Sequence, residues 1–158
     1  MKIRLTVLAA IGIIVLIILL TFKNDIVIKQ NPIPQEPQLN ILIRGFLASK
    51  KSPLASETDF LLQQKHWKLL IAISAIESQY CKRQLGNNCW GIGGDHSYRH
   101  YSSIKAAIID ANDLIEYWQQ RGRWLTIDDM NCHYVVPCNP NWVKVVNQTL
   151  NDLYAIIP

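Results

Sequence analysis

From Leu69 to Ile76 every side chain is apolar or small, and the run ends at a single acid, Glu77, followed by Ser78. A helix with no polar face is buried on all sides, so this stretch has to form the middle of a core rather than a surface. Its charged end is then carried to the edge of that core. Glu77 is the only acid between Asp59 and Asp95. In such a low-dielectric place, desolvation disfavours the charged form, so the carboxyl holds its proton towards neutral pH and suits general-acid work. The plain alternative is that Glu77 marks where the helix meets water. A few residues on, turn formers Gly86-Asn87-Asn88 lead into Cys89-Trp90-Gly91-Ile92-Gly93-Gly94.

The first forty residues belong to another compositional class. Leu5 to Phe22 is apolar, broken only by threonines and one glycine, and just spans a bilayer core at about 1.5 Å per residue. No small-x-small cleavage site follows it, so residues 1–24 read as an uncleaved signal anchor, a cleaved signal peptide being the alternative. Lys2 and Arg4 precede the run, whereas Lys23 and Lys29 after it are partly offset by Asp25. The bias places the N-terminus in the cytoplasm and the remainder outside, in the periplasm or on the cell-wall side. Residues 25–38 read as a linker; its Lys29–Gln38 part, with Pro32, Pro34 and Pro37, reads as a polyproline spacer of about 30 Å or a disordered tether.

Residues 39–158 have the length of one domain with its own core. The net charge of +4 includes Lys2, Arg4, Lys23 and Lys29 against Asp25 and Glu36, so the domain itself is only mildly basic. That balance gives no support for nucleic-acid binding.

Helical periodicity dominates this domain. A short helix is expected over Leu39–Ala48, a second from the Ser52-Pro53 cap to about Lys65, and the central one from Trp67 to about Tyr80. Ser103 caps a fourth, with Ile104, Ala107, Ile108, Ala111, Ile115 and Trp118 as its apolar stripe and Gly122 as its stop. Thr126 caps a short helix with Asp128 and Asp129 in its first turn, where carboxylates suit the dipole. Asn139-Pro140 opens the last, with Trp142, Val146, Leu150 and Leu153 inward. Only Trp90–Tyr101 has room for extended pairing. The fold class is mostly α.

The strings AIESQY and GNNCWGIGG resemble the lysozyme-like superfamily of peptidoglycan-cleaving enzymes. Lytic transglycosylases and goose-type lysozymes carry their acid as Glu-Ser near the end of a central helix, matched here by Glu77-Ser78. Related bacterial N-acetylglucosaminidases follow it with an Asn-Asn-x-aromatic-Gly-Ile loop, matched by Asn87, Asn88, Trp90, Gly91 and Ile92. Ser52-Pro53-Leu54-Ala55, Tyr98-Arg99-His100-Tyr101-Ser102-Ser103 and Tyr134 with Asn139-Pro140-Asn141-Trp142 are similar to further segments of the group. The likeness spans nearly all of Ser52 to Tyr154. It implies a lysozyme-like fold behind the anchor and a membrane-bound enzyme acting on peptidoglycan glycan strands, with no cofactor and no metal.

It also implies roles. Glu77 is the catalytic acid/base, Ser78 and Tyr134 orient it or the substrate, and the Asn88–Trp90 loop walls the glycan groove. Trp90 and Tyr134 as buried structural aromatics are the alternatives. A glycosidase ordinarily needs a second carboxylate, for which Asp95, Asp110, Asp128 and Asp129 are candidates. The glucosaminidase-like enzymes carry theirs in a hairpin after the Asn-Asn loop, which here shrinks to Asp95–Tyr98. A lytic transglycosylase, which uses one Glu and the sugar's own C6 hydroxyl, fits better. A hydrolytic muramidase or N-acetylglucosaminidase, or a non-catalytic wall-binding module, are the other readings.

Four cysteines allow three connectivities. Local pairs, Cys81 with Cys89 and Cys132 with Cys138, are the simplest, and an extracytoplasmic domain permits them. Zinc held by cysteines with His133, His96 or His100 is disfavoured by the C-x₇-C and C-x₅-C spacings.

Overall fold

The computed structural model describes residues 36–94 and 97–157. The apolar run, most of the proline-rich segment and Asp95 and His96 lie outside the described residues, so the anchor and the Asp95 carboxylate are not addressed by it. Among the described residues no helix is long and apolar enough to cross a membrane. The domain is mostly α: helices α1 (Glu36–Ser49), α2 (Thr58–Leu62), α3 (Trp67–Ser78), α4 (Ile104–Gln120), α5 (Ile127–Tyr134) and α6 (Pro140–Ile156), with a two-stranded ribbon between α3 and α4.

Helix α1 begins at Glu36, earlier than its apolar pattern suggests. Pro37 is tolerated there because the first turn has no N–H partner to lose. The expected single helix after Ser52 is split. Pro53–Glu57 is a 3₁₀ turn capped by the Ser52 hydroxyl, which accepts from Leu54 N–H at 3.1 Å. Glu57 sits at φ −101°, ψ 10°, outside the helical well, and the ladder restarts as α2.

Helix α3 is the core. Leu70, Ile71, Ala72, Ile73 and Ser74 are buried in succession, as an all-round apolar segment demands. Its N-terminus has no side-chain cap of its own. Helix α4 supplies the anchor instead: Asn112 Oδ1 accepts from His66 N–H at 3.2 Å, and Glu116 takes Lys65 Nζ at 2.8 Å and His66 Nε2 at 2.6 Å. Bonds from Lys65, His66 and Gln120 hold the Glu116 carboxyl down at about 2. Helix α6 makes the most extensive packing against α3, with Trp142, Val146, Thr149 and Leu153 buried and Leu150 partly so.

The remaining caps follow local chemistry. Ser103 Oγ accepts from Ala106 N–H, and Gly122, at φ +69°, lies just past the end of α4. Thr126 and Asp129 form a reciprocal capping box at α5. The ribbon is antiparallel and minimal, Gly93 opposite Tyr98 and Gly94 opposite Ser97.

Candidate active site

Helix α3 ends at Ser78, directly after Glu77, and the chain leaves it in a left-handed conformation at Gln79. Gln79, Tyr80 and Cys81 take φ of +52°, +60° and +68° in succession. Non-glycine residues visit this region singly, at roughly 1–2 kcal/mol each, so a run of them needs external support. Ser78 supplies much of it. Its hydroxyl donates to Cys89 O at 2.6 Å and accepts from Cys81 N–H at 2.9 Å. Tyr80 N–H returns to Ser74 O, and Ser52 Oγ donates to Tyr80 O at 2.7 Å. The Cys81–Cys89 disulfide then closes the turn onto the following loop.

That loop is organised by Asn88. Its Oδ1 accepts from Trp90 N–H at 3.3 Å and Ile92 N–H at 3.1 Å, while its Nδ2 donates to Ile92 O at 2.7 Å and Arg99 O at 3.0 Å. Trp90 is buried, with its indole N–H donating to Leu70 O at 2.8 Å on α3. The loop is thus pinned to the helix that carries Glu77. Gly91 is the point of closest approach. At φ +63°, a Cβ built there lies 2.7 Å from Glu77 Oε2, so another residue would be strained and would push the carboxylate aside.

Glu77 is half-buried, and Trp142 Nε1 donates to its Oε1 at 2.7 Å. Burial raises the carboxyl above its ordinary value of 4.5, and the Trp142 bond pulls it part of the way back. Its position in the last turn of α3, at the negative end of the dipole, acts in the upward direction too. The Tyr134 hydroxyl donates to Trp90 O, and its ring lies between Trp124 and Trp142 at centroid distances of 5.5 and 5.6 Å. Burial first, then the neighbouring Glu77 charge, keeps the phenol well above its usual range, so it stays a donor.

Next to this cluster is a cavity of about 280 Å³, lined in part by Gly91, Arg99, Trp118, Arg123, Trp124 and Tyr134. Glu77 does not line it, whereas Gly91, which passes close to the Glu77 carboxyl, does.

The expected site residues therefore converge, but with divided roles. Ser78, Asn88 and Trp90 are sealed from solvent at 3, 4 and 0 % exposure, and their polar atoms are taken by the protein. They support the loop from within, so none of the three offers its side chain to a substrate; the likeness implied that Ser78 orients Glu77 or the substrate and that the Asn88–Trp90 loop walls the groove, and Trp90 takes the alternative of a buried structural aromatic. Tyr134 is half-buried and packed against the core. Among the other acids, Asp110 Oδ2 accepts from Arg99 Nη1 at 2.7 Å and the Tyr101 hydroxyl at 2.5 Å, and Asp129 is used by its capping box. Asp128 also lies in the first turn of α5. Trp142 as the partner of Glu77 is absent from the sequence reading, which placed it on the apolar stripe and in the Asn139–Trp142 segment without a role at the site. Its signal was the Asn139-Pro140 cap, which sets Trp142 in the first turn of α6. Both local cysteine pairs are bridged, and no free cysteine is present among the described residues.

No model of a known protein family matches the sequence, and no curated protein matches it either.

Proposed function

We propose that the protein is a membrane-anchored enzyme of lysozyme-like fold that cleaves peptidoglycan glycan strands as a lytic transglycosylase, with Glu77 as its acid and base. The observation that carries the reading is the Glu77 carboxyl itself. It is half-buried, pushed above the ordinary glutamate range, oriented by the Trp142 indole, and closely approached by the loop at Gly91, where a Cβ would lie 2.7 Å from its Oε2.

In this mechanism the Glu77 carboxyl gives its proton to the glycosidic oxygen as that bond breaks. The carboxylate so formed then takes the proton of the sugar's C6 hydroxyl as that oxygen bonds to the anomeric carbon. The products are a free sugar hydroxyl and a 1,6-anhydro end, and Glu77 is again protonated. The Trp142 N–H, donating to Glu77 Oε1, steadies the carboxylate between the two proton transfers. A second carboxylate has no part here. The occupied positions of Asp110 and Asp129 are consistent with that.

Digestion of purified peptidoglycan, read by mass spectrometry, tests the proposal. The expected fragments carry 1,6-anhydro ends, lighter by one water than hydrolysis products. Glu77→Gln keeps the side-chain size and loses activity by at least about 10²–10⁴-fold. Reducing ends together with a dead Asp95→Asn indicate a two-carboxylate hydrolase instead, and a fully active Glu77→Gln removes Glu77 from the chemistry.

A further inference from the structure

The cavity beside Glu77 has a chemistry that bond cleavage does not use. Its aromatic walls, Trp118, Trp124 and Tyr134, are interleaved with three basic side chains, Arg99, Arg123 and His133, and none of its lining residues is acidic. Aromatic faces suit the apolar faces of a sugar ring. Guanidinium groups beside them suit something else, since their forked donors match planar oxyanions.

Each basic group is held in a different way. Arg99 is fixed from behind by Asp110 through one nitrogen, at 2.7 Å, so its charge is partly offset and its other N–H groups stay available. Arg123 lies with its guanidinium 5.2 Å from the Trp118 ring centroid and has no ion-pair partner among the described residues. His133 Nδ1 donates to Asp129 O at 2.8 Å, because a carbonyl only accepts, and this leaves Nε2 for another partner. The volume, about 280 Å³, is near the lower end of small-molecule sites and admits one ring or one short acidic group rather than a chain.

We infer that this cavity recognises a carboxylate of the wall polymer, so that acid-bearing strands are selected over neutral glycan of the same backbone. The inference rests on the reading that strands lie against Glu77. Two sources offer this one chemistry: the lactyl carboxylate of a muramic acid stripped of its peptide, and the carboxylates of the peptide stem. Arg123 is the principal discriminating residue, because the charge of Arg99 is shared with Asp110.

The test uses the full chain and three small probes: N-acetylglucosamine, N-acetylmuramic acid and the free stem peptide. Binding is followed through the indole N–H resonances of Trp118 and Trp124. At least one acidic probe binds about tenfold more tightly than N-acetylglucosamine, and added salt erodes the difference. Arg123→Gln, at an exposed position that leaves the core untouched, abolishes that preference, so that the acidic probe binds no more tightly than N-acetylglucosamine. Arg123→Lys restores part of it. The acid that responds identifies the source.

Equal binding of all three probes overturns the inference, as does a preference that survives Arg123→Gln. The readout needs no cleavage, so the two ideas fail separately. Wall that is never cut, with acidic probes still held through Arg123, leaves the cavity assignment standing without the enzymatic one. Wall that is cut, with no acid preference, does the reverse.

Discussion

At the scale of single residues, Glu77 trades stability for a proton. Its carboxyl binds hydrogen more tightly in the folded chain than in the unfolded one. Between the ordinary value of 4.5 and its raised folded value, the native state holds more protons, so stability falls as pH rises through that window. Glu77→Gln cannot titrate, and its amide oxygen still accepts from Trp142. Urea unfolding should therefore show the variant gaining on the parent at pH 7.5, with the gain vanishing at pH 3.5. Equal differences at both pH values would mean that the carboxyl is not perturbed. Gly91 is the complementary case. Gly91→Ala puts a Cβ 2.7 Å from Glu77 Oε2 on a backbone at φ +63°. The expected cost is about 1–2 kcal/mol of stability, and under the proposed glycan cleavage, displacing Glu77 from Trp142 should lower kcat at least about tenfold while KM changes little. Unchanged kcat would show that Glu77 tolerates the crowding.

At the scale of elements, the left-handed turn at residues 79–81 is where local preference and tertiary demand conflict. Gln79 is exposed and its side chain has no hydrogen-bond partner among the described residues, yet it occupies φ +52°, ψ +56°, a conformation that glycine adopts freely. Gln79→Gly should raise unfolding stability by about 0.5–1 kcal/mol, read from the urea midpoint, in contrast to most glycine insertions. A loss of stability would place the support for this turn in the Gln79 side chain. Ser78 and Cys81 tie the same turn to the 88–92 loop. The helix terminus and the loop thus form one unit, and Glu77 is presented by both together.

At the scale of the molecule, two short disulfides flank the site. Cys81–Cys89 and Cys132–Cys138 close loops with sequence separations of 8 and 6, each stabilising by about 2–3 kcal/mol on loop-closure entropy. Reductant should lower the urea midpoint accordingly, and non-reducing peptide mapping should recover both local pairs. Bonds between the two pairs, in either crossed arrangement, would contradict this connectivity. Cys81→Ala/Cys89→Ala should impair activity more than Cys132→Ala/Cys138→Ala, because the first bond holds the loop against Glu77 and the second closes the turn after α5.

Much of this architecture is written in the chain. The uninterrupted apolar run dictates a buried α3, and Ser52, Ser103, Thr126 and Asn139 each announce a cap that forms, because capping and periodicity are decided within a few neighbouring residues. The cysteine pairs and the convergence of Glu77 with the Asn88 loop were legible for the same reason of proximity. Other features depend on groups far apart in sequence. Whether Trp90 faces a ligand or the core turns on the carbonyl of Leu70, and the partner of Glu77 is Trp142, 65 residues away. The split at Glu57, the left-handed turn and the basic aromatic cavity likewise arise only when distant elements pack. Local bonds repeat with a period that a sequence displays; a contact between remote side chains has none, and only the assembled fold decides it.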